Sequence, residues 1–127
     1  MSQTPTPTPA ELAILSVLWQ RGPSTVREIH DALKEERATG LNTTLKFVQL
    51  MTEKGLVIKD DSVRPQVFSP AQPRERTQMR LLDELIARAF NGSASNLVLR
   101  AVSDRRISAK ELAEIKKLIE HSRKEQS

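Results

Sequence analysis

The chain has 127 residues, 28% of them charged, with a formal charge of +4, which is enough for one modest domain or two small units sharing a core. It has no cysteine, which excludes disulfides and thiolate metal sites, and its single Trp, three Phe and no Tyr supply too few rings for stacking RNA or single-stranded bases. No apolar run is long enough to span a membrane and Met1-Ser2-Gln3 opens no signal peptide, so a cytoplasmic protein is expected.

Thr4-Pro5-Thr6-Pro7-Thr8-Pro9 is a short Thr-Pro repeat, expected to be a disordered tail over residues 1–8. Thr8-Pro9-Ala10-Glu11 is a helix start. Thr8 is the expected N-cap, Pro9 sits where its missing N–H costs nothing, and Glu11 closes a capping box. Leu12, Leu15, Val17, Leu18 and Trp19 make the following face apolar, Trp19 as a core anchor, and Gly22-Pro23 ends the helix. Thr25 and Glu28 form a second box at the start of helix two. Val26, Ile29, Ala32 and Leu33 supply its buried face, while Arg27, His30, Asp31, Lys34 and Glu35 face water. His30 stands alone and is read as a surface residue, not a ligand.

The turn from Glu36 to Gly40 leads to a third helix, expected over Asn42 to Lys54 with Asn42 as N-cap. Thr44, Val48 and Met51 recur at helical spacing beside Phe47, so they should pack inward. Asn42, Thr43, Lys46, Gln49 and Leu50 are left outward. Gly55 supplies the left-handed residue that stops the helix. Leu56-Val57-Ile58 and Gln66-Val67-Phe68 read as strands around the charged turn Asp60-Asp61-Ser62-Val63-Arg64. Two helices joined by a short turn, a supporting helix behind and a hairpin after them make a winged helix-turn-helix over residues 9–70. In that arrangement the third helix enters the DNA major groove.

Pro70-Ala71-Gln72-Pro73 is the expected linker, spanning 71–73 in the domain assignment. The pattern then changes to three amphipathic helices over residues 74–122, followed by a polar tail, 123–127. The first runs from Gln78 to Phe90, with Leu81, Leu82, Leu85, Ile86 and Phe90 apolar, and Asn91-Gly92 ends it. The second runs from Asn96 to Ser103 behind a Ser93 or Ser95 cap. Leu97, Leu99 and Val102 help to make it apolar nearly all round, so it should be buried on more than one side. Ser108 and Glu111 box the third, with Leu112, Ile115, Leu118 and Ile119 on one face. Three such helices are too few for a closed core, so a two-fold dimer sharing one core is the favoured reading over helices folded back on the first domain. The predicted fold class is therefore mostly α with a small antiparallel β wing: a winged helix-turn-helix followed by a three-helix dimerisation domain.

The charge balance qualifies a nucleic-acid reading. Residues 1–70 hold eight Lys or Arg and eight Asp or Glu, so the surplus lies after Pro70. DNA binding must then come from local arrangement. Between Leu41 and Leu50 the only charge is Lys46. Thr43 and Asn42 sit at a helix N-terminus that favours a phosphate, Gln49 has the amide to read adenine, and Lys46 reaches guanine or phosphate. Thr25 and Arg27, with Lys59 and Arg64 on the wing, are expected on the DNA backbone. The alternative is a winged-helix protein-interaction module without DNA binding, which the neutral first half favours. An enzyme is not expected, since no nucleophile-base spacing, phosphate loop or metal cluster is present. No cofactor and no metal are expected.

The order and spacing of these segments resemble the penicillinase-repressor (BlaI/MecI/CopY) family of transcription factors. The resemblance runs from Ala10-Glu11 and Leu18-Trp19 through Gly22-Pro23, Thr25-Val26-Arg27-Glu28-Ile29, Asn42-Thr43 and Glu53-Lys54-Gly55-Leu56-Val57. It continues through Leu81-Leu82, Gly92-Ser93, Leu97-Val98 and Glu111-Leu112 to Leu118-Ile119. It implies a homodimeric repressor on inverted-repeat operators in double-stranded DNA, relieved by an upstream signal. In beta-lactam-responsive members a membrane sensor protease triggers cleavage of the repressor, and the matching bond here would lie just after Leu97-Val98-Leu99, near Arg100-Ala101. These residues stand where such relatives have Asn and Phe. Copper-responsive members carry C-terminal cysteines, which this chain lacks. Thr44 stands where a β-branched apolar residue is common.

Overall fold

The computed structural model describes residues 6–104 and 107–126. Residues 1–5 of the expected tail and Ser127 lie outside the described residues. The elements in chain order are helices α1 (Pro9–Arg21), α2 (Val26–Leu33) and α3 (Leu41–Lys54), strands β1 (Val57–Asp60) and β2 (Val67–Pro70), then helices α4 (Arg74–Ala89), α5 (Ala94–Ser103) and α6 (Ala109–Gln126). They fall into two compact units, the first ending at Leu81 and the second beginning at Leu82.

Both expected boxes of the first unit form. Thr8 accepts from the Glu11 N–H while Glu11 accepts from Thr8, and Thr25 and Glu28 repeat the exchange. Each box pairs two N–H groups that the first helical turn leaves without partners. α3 begins one residue earlier than its sequence suggests. Gly40 is the N-cap and gives no side-chain bond. Its carbonyl instead accepts from the Thr43 and Thr44 N–H groups, at 3.1 and 3.2 Å. Asn42 is therefore not the cap and stays an exposed side chain within the first turn. At the other end Gly55 takes φ 81°, and the Gly55 and Leu56 N–H groups turn back to the carbonyls of Thr52 and Met51.

The core of this unit gathers Ile14, Leu15 and Leu18 from α1, Ile29 and Leu33 from α2, Val48 and Met51 from α3, and Leu56, Val57 and Phe68 from the hairpin. Thr44 is also buried, as its spacing predicts, but Ala32 is exposed. Spacings of three and four put Val26, Ile29, His30 and Leu33 on the inward face of α2, and Ala32 falls off it. The hairpin is antiparallel, with Val57 opposite Pro70 and Lys59 opposite Phe68. It is displaced from the expected strands: Asp60 and Pro70 are inside it, while Leu56 and Gln66 are not. On the other edge of β2, Ser24 and Phe68 exchange two backbone hydrogen bonds, 2.8 and 3.1 Å, a single isolated bridge that ties the segment before α2 to the wing.

The Pro-bounded segment is fastened to the first unit. The Ala71 N–H donates to the Leu56 carbonyl at 2.9 Å, and Trp19 Nε1–H donates to the Gln72 carbonyl at 3.0 Å. The Arg74 guanidinium lies 5.9 Å from the indole centroid, within cation–π range. Trp19 is thus half-buried and holds this segment with its polar edge, a use of indole that its place on an apolar stripe did not reveal.

In the second unit α4 runs to Ala89, where Asn91 and Gly92 take positive φ. α5 starts two residues earlier than expected, capped by the Ser93 hydroxyl, which accepts from the Asn96 N–H. Ser108 and Glu111 form the third box, and α6 continues through Gln126, so the expected tail from Arg123 is largely helical. α5 has no buried residue within one chain, so the burial its apolar surface predicts is not supplied by its own chain. Leu99 is 62% exposed and Leu118 68%, and Leu85, Val102, Leu112 and Ile119 are exposed too.

Candidate nucleic-acid interface

The helix-turn-helix is α2, the turn to Gly40, and α3. Inward placement of Thr44, Val48 and Met51 fixes the rotation of α3 about its axis. Asn42, Thr43, Lys46 and Gln49 are consequently exposed together on its other side. Leu50 is 41% exposed among them, and nothing in the structure accounts for that apolar residue.

Arg27 is exposed at the start of α2. Thr25 is half-buried, with its N–H given to Glu28 Oε1 at 2.8 Å and its hydroxyl accepting the Glu28 N–H at 3.1 Å. A phosphate could therefore use only its hydroxyl hydrogen. These bonds to Thr25, backbone and side chain, hold the Glu28 carboxyl below its usual pKa. His30 is not the free surface residue its isolation suggested: it is half-buried, with Nδ1 3.4 Å from the Thr44 hydroxyl across the α2–α3 joint.

The structure sorts the charges that cancel in the sequence. Arg21 pairs with Glu28 at 3.4 Å, Lys54 with Glu11 at 2.7 Å, and Lys59 with Asp61 at 3.7 Å. Arg27, Lys46 and Arg64 have no carboxylate partner among the described residues. The wing acids are likewise occupied. Asp60 accepts from the hydroxyl and N–H of Ser62, which lower its pKa, and Asp61 accepts from Gln66 Nε2 at 2.6 Å. Asp60 and Asp61 are thereby turned toward donors of the hairpin, leaving Arg64 as the exposed wing cation without a carboxylate. On this basis Arg64→Ala should weaken duplex binding and lower its salt slope by about one phosphate, with a smaller loss for Lys59→Ala. Salt titrations of both variants check the order.

Of the residues proposed for an apolar joint, Leu81, Leu82, Ile86, Phe90, Leu97 and Ile115 are half-buried within one chain, and Leu85, Leu99, Val102, Leu112, Leu118 and Ile119 are exposed. Arg100 and Ala101 lie inside α5, Arg100 exposed and Ala101 half-buried. Among the described residues no group of three or more His, Cys, Asp or Glu is placed to hold a metal, and no helix is long and apolar enough to cross a membrane.

Sequence reasoning missed the Glu11–Lys54 pair, although a carboxylate on the stripe of Leu15 and Leu18 was a signal that a cation must meet it. It also missed the Ser24–Phe68 bridge, for which the local sequence offers no signal.

Three helices with a two-stranded wing, followed by a helical unit, define a winged helix-turn-helix protein with a helical second unit. A sequence model of the penicillinase repressor family matches residues 7–121, and the chain belongs to that family. The chain is also similar to "Transcriptional regulator BlaI" of Mycobacterium tuberculosis, in each of two strains: 28% identical over 90 residues, 70% of this chain. The matched stretch spans 65% of the relative's own length.

Proposed function

We propose that the protein is a sequence-specific DNA-binding transcriptional repressor that acts as a homodimer on inverted-repeat operators. The observation that carries this reading is the outward face of α3, where Asn42, Thr43, Lys46 and Gln49 are exposed together. Thr43 and Asn42 approach phosphate at the helix N-terminus, and Lys46 and Gln49 face base edges. Arg27 and Arg64 clamp the backbone on either side, with the Thr25 hydroxyl and Lys59 as weaker contacts. A second copy covers the exposed leucines and isoleucines of α4, α5 and α6, giving two reading helices for two half-sites.

Relief of repression comes from an upstream signal. Proteolysis triggered by a membrane sensor is one route, with Arg100-Ala101 as the candidate bond. Because that bond is inside α5, cutting it requires the helix to unwind first.

The test is a salt titration on the duplex upstream of the protein's own gene. Affinity should fall steeply between about 50 and 200 mM salt as neutralised phosphates regain their counterions. Lys46→Ala should weaken binding and leave the oligomeric state unchanged. Equal affinity for variant and wild type would remove Lys46 from the interface. A salt-independent interaction, or none with any duplex, would favour a protein-interaction module.

A further inference from the structure

Among the described residues three capping boxes occur, and one of them differs from the others. Glu28 and Glu111 close their boxes without being buried. Glu11 is 2% exposed, beneath the same stripe of α1 that carries Leu15 and Leu18. A box needs one carboxylate oxygen and no burial. Glu11 Oε1 does that task, accepting from the Thr8 N–H at 2.9 Å. Its other oxygen, Oε2, accepts from Lys54 Nζ at 2.7 Å. Lys54 is the last residue of α3, immediately before the left-handed Gly55. A buried carboxylate without a cation is strongly unfavourable, so α1 and the end of α3 are locked to one geometry. Burial alone would raise the Glu11 pKa. The Lys54 bond and charge, with the Thr8 bonds, outweigh it and hold the carboxyl below the ordinary range.

Resting on the DNA-binding reading above, we propose that Glu11 and Lys54 are positioning residues for the reading helix: their bond anchors the last turn of α3 and so sets the direction in which Lys46 and Gln49 meet the groove. Neither residue touches DNA. Lys54, itself exposed, spends its charge on the buried Glu11, and Glu11 acts through Lys54.

The test uses the full chain and the duplex upstream of its own gene that the wild type protects from nuclease. Variants are compared where circular dichroism shows them folded. In Glu11→Gln the side-chain oxygen keeps the box and the amide NH2 faces the ammonium, so only the clasp is lost. Glu11→Gln and Lys54→Met should each lower affinity about tenfold. The double variant should be no worse than either single one, because both remove the same bond. Lys54→Arg should restore binding, and the salt slope should stay at the wild-type value throughout, since no phosphate contact is removed. In Lys54→Met the Glu11 carboxyl, followed by carbon-13 NMR, should titrate above its wild-type value. If Lys54→Met fails to fold, Lys54→Gln carries the same comparison.

Wild-type affinity in Glu11→Gln, additive losses in the double variant, or a salt slope lowered by about one in Lys54→Met would overturn the proposal while leaving DNA binding intact. A wild type that holds no duplex would overturn the DNA reading and this proposal with it.

Discussion

On the homodimer reading proposed above, Leu85→Arg should shift sedimentation from dimer to monomer. Leu85 is exposed on α4, and the second unit leaves Leu99, Leu112, Leu118 and Ile119 exposed as well. A stable joint between two proteins buries about 1,600 Å² in total, and such residues supply its apolar centre. An arginine placed there takes a charge out of water, which costs several kcal/mol on top of the lost apolar contact. The effect on DNA should be larger than that of any single contact. A monomer reaches one half-site, and losing the linked second one removes about 10²- to 10⁴-fold in apparent affinity. Sedimentation and gel-shift measurements on one preparation read both effects. A variant that remains dimeric would move the joint away from α4.

Phe68→Ala should cost about 3–5 kcal/mol, the usual range for an aromatic residue removed from a packed core. Phe68 is 3% exposed. It stands opposite Lys59 on β1 and exchanges two backbone bonds with Ser24 on its other side. Its ring is therefore where the wing, the α1–α2 connection and the helical core meet. Against a total domain stability of about 5–15 kcal/mol, this loss brings the first unit close to unfolding. Chemical denaturation gives the number directly, and a cost below about 1 kcal/mol would contradict the central place given to the ring.

What could be read from the sequence follows from the range of the interactions involved. The boxes at Thr8, Thr25 and Ser108 were legible because their signals lie three residues apart and depend on little else. The inward set Thr44, Val48 and Met51 was legible because helical period alone places them on one side. The start of α3 was not: Asn42 has the chemistry of a cap, but the helix takes the Gly40 carbonyl and begins a residue sooner. Strand limits shifted for a related reason, since pairing with Val57 and Val67 draws Pro70 and Asp60 into a hairpin that their residue types oppose. Contacts joining distant segments left only faint traces. Glu11 meets Lys54 and Trp19 meets Gln72 across long loops of chain, and no local pattern names the partner.

The candidate interface shows the same division. Periodicity found the residues that face outward on α3. It did not show which cations are already engaged, and that distinction separates Arg64 from Lys59 and Lys54. In the second unit the apolar spacing was plain, yet a spacing identifies a face without saying what covers it. α5 is the sharpest case, apolar in sequence and exposed within one chain.

The chain contains one tryptophan, and its ring nitrogen is bonded to the carbonyl of Gln72 under the cation of Arg74. With no tyrosine present, ultraviolet emission from this protein originates almost wholly at that one spot. The molecule thus carries a built-in optical probe at the root of α4, where release of residues 71–73 would change the polarity around the fluorophore without any label having been attached.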